Sequence, residues 1–315
     1  MEYRVSVKEV RDLVAAQFPM AVGEGVELLN EGWDNIVFRI GTSWVGRFPK
    51  YATTAELLSN EIRWVSTILE GIESPLRTSQ PVFAGVPGAS YPYCWSIAAF
   101  IEGAAAQGQQ FSELTPAAAF RAATHLGEFL AAIHRPQAAP ADAPRNPYRG
   151  TPLSERVPLL TEHLARYQRN SGGGGVINLE AIRQGFEQAV SASPWVGPPL
   201  WCHGDIHPGN LILDRGELVG VIDFGDCCAG DPASDLAVCW WWFPAAEREA
   251  FQRSYDQALR RQQGEAAVED ADRWLRARGW AYALCLAVAS NDKSSTAMRH
   301  SAEHALVEHL GCGAR

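Results

Sequence analysis

Long apolar runs, paired cysteine motifs and a basic surface are all missing from this 315-residue chain. No stretch approaches the roughly 18 uninterrupted apolar residues that span a bilayer. The opening Met1-Glu2-Tyr3-Arg4-Val5 lacks the basic-then-apolar layout of a signal peptide. A cytoplasmic location with no membrane contact is the expectation. The seven cysteines (Cys94, Cys202, Cys227, Cys228, Cys239, Cys285 and Cys312) are odd in number and offer no C-x-x-C spacing. They read as small buried thiols in a reducing compartment; only adjacent Cys227-Cys228 invites a metal or a vicinal disulfide. Net charge is −9, with −3 over residues 1–101 and −6 over the remainder. Nucleic acid, which requires a basic face, is not an expected partner. A cationic substrate suits the acidity without being required by it. The four glycines at 172–175 lack the Gly-Lys-Ser/Thr and the preceding strand of a phosphate loop, so they read as a surface connector. No G-x-S-x-G elbow and no internal repeat occurs.

What is present is an ordinary folded composition, 47% hydrophobic and 20% charged. The length favours two lobes. In the first, a helix over 6–18 precedes strands at 26–30, 36–40 and 43–48. A helix over 54–70, with one broad apolar face, and strands at 80–84 and 94–100 complete an α+β unit. After Ile101-Glu102-Gly103 the pattern turns helical: 115–134, 153–169, 179–192, 244–262, 268–289 and 291–309. The division is therefore placed at residues 1–101 and 102–315.

The interruption at 200–224 carries the chemistry. His203-Gly204-Asp205-Ile206-His207-Pro208-Gly209-Asn210 leads into two short apolar strands, and these end at Asp223-Phe224-Gly225-Asp226. One hairpin thereby brings Asp205 and Asn210 near Asp223. Phosphoryl transfer needs little covalent help; it needs a positioned hydroxyl, held magnesium and neutralised phosphate charge. Asp205 would orient the hydroxyl and accept its proton. Asn210 and Asp223 would give the hard oxygen ligands that Mg²⁺ takes alongside water and phosphate. The D-x-x-x-x-N spacing and the later D-F-G agree with that template, and neither alone is specific. Reading His203, Asp205 and His207 as a zinc or iron cluster leaves Asn210 and Asp223 unexplained.

At these residues the chain resembles the aminoglycoside phosphotransferase family, whose catalytic loop has the form H-G-D-x-H-x-x-N. The resemblance extends to Ile222-Asp223-Phe224 and to Gly230-Asp231-Pro232-Ala233-Ser234-Asp235-Leu236-Ala237. It implies a bilobal protein-kinase-like fold with ATP or GTP as donor in the cleft and Mg²⁺ as cofactor. Position by position, it implies a catalytic role for Asp205, metal ligation by Asn210 and Asp223, and loop support from His203, His207 and Asp235. Glu31-Gly32-Trp33-Asp34-Asn35 falls where the family has its nucleotide-covering loop, making Gly32, Asp34 and Asn35 candidates there. Arg47 stands where the family commonly has a strand lysine, with Glu61 as its helix partner; Lys50 is the alternative. Arginine keeps the charge and forks onto carboxylate or phosphate. Phe100 and Ile101 fall at the hinge, where backbone groups would meet the purine.

The acceptor is a small hydroxylated compound. Asp226, Trp240, Trp241 and Asp292 are candidates for its pocket, with Glu155 and Glu162 as further carboxylates for amines. Four consecutive aromatics at 240–243 cannot share one helix face, so one is expected at the cleft or exposed. An aminoglycoside leads, and a macrolide or a metabolite alcohol (choline, homoserine or sugar-like) is the alternative. A nucleotide-binding pseudokinase is the rival from another class; a protein kinase is disfavoured by the absent Gly-rich loop and A-P-E segment.

Overall fold

The computed structural model describes residues 2–313 apart from 89, 109–110, 136–138, 173–174 and 264–269. Two of the four glycines at 172–175 and the 268–269 start of one expected helix lie outside the described residues.

Helix α1 (Val7–Gln17) opens on a reciprocal cap. The Ser6 hydroxyl accepts the Glu9 N–H, and the Glu9 carboxylate accepts the Ser6 N–H. Strands β1 (Val26–Glu31), β2 (Asn35–Ile40) and β3 (Trp44–Pro49) follow, then α2 (Ala52–Leu69), β4 (Arg77–Thr78), β5 (Pro81–Gly85) and β6 (Trp95–Ala99). They form a five-stranded antiparallel sheet in the order β1-β2-β3-β6-β5. Alternation buries Ile36, Phe38 and Ile40 on one face of β2. That face joins α1 in a small core where Phe48 stacks on Trp95 at 5.2 Å.

The rest is mainly helical. After β7 (Ala104–Ala105) come α3 (Pro116–Ile133), α4 (Val157–Asn170), α5 (Leu179–Val190), β8 (Leu200–Cys202), β9 (Leu211–Asp214), β10 (Glu217–Val221) and β11 (Cys228–Gly230). Helices α6 (Val238–Trp242), α7 (Ala245–Gln263), α8 (Arg273–Ala289) and α9 (Thr296–His304) complete the chain, the last continuing into a π turn at Ala305–His309. Leu126, Phe129, Leu130 and Ile133 of α3 lie in one large core with Trp280 and Leu286 of α8. Each such side chain contributes about 1.5–3 kcal/mol by burial. The α+β expectation thus describes the architecture, a small antiparallel sheet beside a helical body.

Helix α2 belongs to both parts. Leu58 and Glu61 are buried on it beside the sheet, whereas Trp64, Val65 and Ile68 enter the large core. Arg135, just past α3, donates to the carbonyls of Glu70 (2.7 Å), Thr67 (3.0 Å) and Ile68 (3.1 Å). A cation on the last carbonyls of a helix satisfies groups that have no intrahelical partner.

Periodicity missed the two- and three-residue strands β4, β7, β8 and β11, which are too short to show it. The helix expected over 291–309 begins at Thr296, because Ser294 N–H closes a turn on Asn291 and Ser295 caps the helix instead. Cys227 and Cys228 are buried free thiols, so no vicinal disulfide forms. No helix among the described residues is long and apolar enough to cross a membrane.

Candidate active site

The site is built on the β9–β10 hairpin. Strand β9 leaves a 3₁₀ turn at Pro208–Asn210, and β10 runs out at Val221, so the two polar segments emerge side by side. The Ile222 N–H bonds the Asn210 carbonyl at 2.9 Å and ties the ends together.

Asp205 sits in the loop after β8. Its Oδ1 accepts from Arg149 Nη2 at 3.1 Å, and its Oδ2 faces His207 Nε2 at 3.3 Å and Asn210 Nδ2 at 3.3 Å. His207 Nδ1 accepts the Gly209 N–H at 2.9 Å, which leaves the ring proton on Nε2, toward Asp205. Burial pushes the Asp205 carboxyl up, but His207, Arg149 and His203 outweigh it and hold it below the usual carboxylate range.

His203 is buried and works on the backbone. Its Nδ1 accepts the Asp205 N–H at 3.2 Å, so Nε2 donates to the Ile222 carbonyl at 3.1 Å. Burial lowers its pKa, in keeping with a neutral ring. Beneath it, Asp235 accepts the N–H groups of His203 (2.6 Å) and Gly204 (3.0 Å), and His134 Nε2 lies 3.1 Å from the same carboxylate. Gly204 has φ +87°, and a Cβ there would lie 2.0 Å from the Asp226 carbonyl oxygen. Only glycine fits.

Asp223 also has a left-handed backbone, φ 67°, a sparsely populated conformation for a side-chain-bearing residue. Its N–H bonds Ser79 Oγ at 3.2 Å, and its Oδ1 accepts from Arg47 Nη2 at 2.6 Å. Arg47 Nη1 pairs with Glu61, which is fully buried on α2. Lys50 is occupied elsewhere, 3.3 Å from Glu2 and Glu31 and bonded to the Gly32 carbonyl. Of the two cations, Arg47 is the one that faces the site.

One guanidinium serves two carboxylates here, and the enclosed one yields. Burial, with the Asp223 charge, pushes Glu61 up to about 7 against the pull of Arg47. A raised folded pKa means the folded state binds more protons than the unfolded one between 4.5 and about 7. This group's contribution to stability is complete below 4.5 and is lost as pH rises through about 7. Glu61→Gln is expected to flatten the pH dependence of denaturant stability across that window, as urea midpoints would show. An unchanged slope would mean that Glu61 stays ionised throughout.

The Gly32–Asn35 segment is a tight hairpin between β1 and β2. The Gly32 N–H bonds the Asn35 carbonyl at 2.9 Å, and the Asp34 carbonyl accepts from Lys50 N–H (2.8 Å) and Thr54 Oγ1 (3.0 Å). A Cβ on Gly32 would meet only the Asn35 carbonyl, at 3.5 Å, so the glycine answers no steric need. Burial, together with the charges of Asp223 and Asp205, raises the Asp34 carboxyl. Asn35 Oδ1 is buried without a partner. At the hinge, one backbone donor is already committed. The Phe100 N–H is taken by the Ser43 carbonyl (2.8 Å) and its ring lies under Arg39 (4.0 Å), so it has no N–H to offer a purine. Ile101 is buried against Gly220.

A cavity of about 120 Å³ opens beside Asp205, lined by Arg149, Arg156, His207, Trp241 and the apolar residues Leu284, Ala287, Val288 and Met298 among others. Trp241 stands against His207, ring centres 5.5 Å apart. Trp240 turns away to Trp274, and all four aromatics at 240–243 are buried, so none is exposed. Asp226 accepts from Asn146 Nδ2 at 2.7 Å, and burial with the Asp205 charge pushes it up to about 6. Asp292 is exposed and accepts from Asn170 at 2.8 Å; it lies outside the cavity wall, as do the exposed Glu155 and Glu162. Arg149, Arg156, Asn146 and Ser79 escaped the sequence reading.

The family model described as "Phosphotransferase enzyme family" matches residues 25–275. The chain belongs to this family. Among curated relatives, an aminoglycoside 3'-phosphotransferase of Escherichia coli is 30% identical over 76 residues, 23% of this chain and 28% of that protein. The chain thus spans under a third of the length of the first curated relatives it matches. An uncharacterized protein of Deinococcus radiodurans is 29% identical over 54% of this chain and 46% of its own length. Among solved structures, the GDP complex of aminoglycoside 2'-phosphotransferase-IIIa superposes with a TM-score of 0.67 at 18% identity, covering 98% of this chain and 99% of the other. Macrolide 2'-phosphotransferase from Brachybacterium faecium gives 0.56 at 18% identity, covering 95% and 97%. At such identities these structures establish the fold of this family member: the kinase-like arrangement of a small sheet lobe on a larger helical lobe.

Proposed function

We propose that the protein transfers the γ-phosphoryl group of a nucleoside triphosphate to a hydroxyl of a small molecule held in the cavity beside Asp205. The observation that carries this reading is one hairpin presenting Asp205 at the cavity wall and Asp223 beside the buried Arg47–Glu61 pair. In this reading the lobes divide at residues 101 and 102, with nucleotide between them.

The donor set fits magnesium. Asn210 turns its Nδ2 toward the Asp205 carbonyl (2.8 Å), which frees its amide oxygen. Asp223 has a side chain 42% exposed, with one oxygen on Arg47 and the other available. A carboxylate and an amide oxygen, completed by phosphate and water, suit a small hard cation. Bound there, the ion would neutralise charge on the phosphates. Asp205 is ionised at neutral pH and held by Arg149, His207 and Asn210; it keeps lone pairs for a hydroxyl, orients it and accepts its proton. Its low basicity is no obstacle, because a loose transition state asks little of the nucleophile until late.

Relatives are named for aminoglycoside and macrolide acceptors, and solved relatives hold GDP or ATP. ATP and GTP are therefore both donors to test. The test is to incubate the protein with Mg²⁺, either nucleotide and a panel of alcohols, reading phosphomonoester formation by mass spectrometry. Saturable nucleotide binding with transfer supports the reading. Nucleotide binding with no transfer across the panel favours the pseudokinase, and absence of nucleotide binding removes the proposal.

A further inference from the structure

We infer that the acceptor carries an anionic group, a carboxylate or a phosphate ester, seated on Arg156 while its hydroxyl faces Asp205. This rests on the transfer proposed above and adds the chemical class of the acceptor.

The cavity wall holds two cations and one anion, because Asp205 is the only carboxylate among the lining residues. Arg149 is matched by Asp205 at 3.1 Å. Arg156 is not matched. It sits at the end of the 3₁₀ turn Leu153–Arg156, only 6% exposed, and makes no salt bridge among the described residues. Its Nε is buried with no hydrogen-bond partner. The guanidinium lies near the rings of Tyr148 at 5.7 Å and Trp280 at 5.6 Å. A cation–π contact recovers part of the lost hydration, but the buried Nε–H remains to be served. Burial and the nearby Arg149 charge depress its pKa, outweighing the opposite pull of Tyr148 and Glu155.

Buried charges are retained where they are paired, and an unpaired one in a cavity points to a ligand that brings the counter-charge. The fork of an arginine matches carboxylate and phosphate oxygens two at a time. A polycationic acceptor would meet Arg156 as a like charge, and the carboxylates suited to amines, Glu155, Glu162 and Asp292, lie on the exposed surface instead. Leu284, Ala287, Val288, Met298 and Trp241 share the wall with Arg156 and Asp205. The carbon frame joining anion to hydroxyl therefore meets a largely apolar surface.

Binding of four probes to the full chain with nucleotide present, followed by titration calorimetry or ligand-observed NMR, tests this. The probes are β-hydroxybutyrate, its neutral diol and amino-alcohol analogues, and glycerol phosphate. One or both anionic probes are expected to bind, and which does so separates carboxylate from phosphate recognition. Arg156→Gln is expected to raise their Kd on the order of 30-fold or more, as truncating one partner of a desolvated ion pair does. Arg156→Lys should recover part of the loss, with nucleotide affinity unchanged in both variants. Arg156→Met is expected to raise the Tm of the ligand-free protein, whereas an arginine with a purely structural role would lower it on replacement. Tighter binding of the diol or the amine, an indifferent Arg156→Gln, or no probe binding up to the solubility limit overturns the inference. Transfer to a cationic or neutral alcohol would do the same while upholding the transferase reading. Loss of nucleotide binding in the parent protein would instead sink that reading.

Discussion

Asp205→Asn is expected to leave nucleotide affinity intact and to lower kcat by about 10²–10⁴-fold, the range for losing a positioned proton acceptor. The amide keeps the shape of the carboxylate but not its charge. Its Oδ1 can still accept from Arg149, whereas its NH₂ would face the Nε2–H of His207 and Asn210 Nδ2, donor against donor. Asp205→Ala, which removes that conflict, should be equally inactive. Steady-state kinetics on both, with nucleotide binding measured separately, checks this. Wild-type kcat in either would remove Asp205 from the chemistry. Because the Asp205 pKa is lowered, its stability contribution is present above the ordinary 3.8 and is lost only as pH falls below that value. An acid limb of activity near pH 6 would therefore have to come from another group, and Asp226, pushed up to about 6, is the nearest carboxylate of that kind.

Asp235→Ala is expected to cost stability as well as activity. The carboxylate accepts two backbone N–H groups of the loop that carries Asp205 and sits against His134, whose other ring nitrogen lies 3.0 Å from Tyr255 Oη. All three side chains are buried, so no water replaces the lost acceptor. Orphaning buried donors costs about 1–3 kcal/mol each, and two orphans give about 2–6 kcal/mol. A fall in Tm of about 3–9 °C follows. Activity should be lost even well below Tm, because Gly204 and Asp205 hang from those two bonds. Full kcat in a folded Asp235→Ala protein would show the brace to be idle.

Sequence and structure agree where the relevant information is local. Asp205 and Asn210 lie five residues apart, and a hairpin of apolar strands carries the chain to Asp223; spacing alone makes them neighbours. The position of Arg47 in a strand and of Glu61 on the next helix is legible in the same way. Arg149 reaches Asp205 across 56 residues from a stretch of turns rich in proline and glycine, where no periodicity marks a side chain's direction. Arg156 was invisible for a different reason. An arginine near a helix start reads as solvated, and only the packing of Tyr148 and Trp280 reveals that it is not. Of the run at 240–243 one aromatic is expected at the cleft or exposed, and Trp241 lines the cavity beside Asp205; that the other three are all buried depends on α6 packing among neighbours distant in sequence.

Helix α2 carries a last consequence. Its Glu61 holds Arg47, while Trp64, Val65, Ile68 and the Arg135 cap anchor it to the helical body. A helix held at its far end by the helical body favours the paired arrangement of Arg47 and Glu61. Under the proposed function, the charged side of the site would then stand assembled before either ligand arrives.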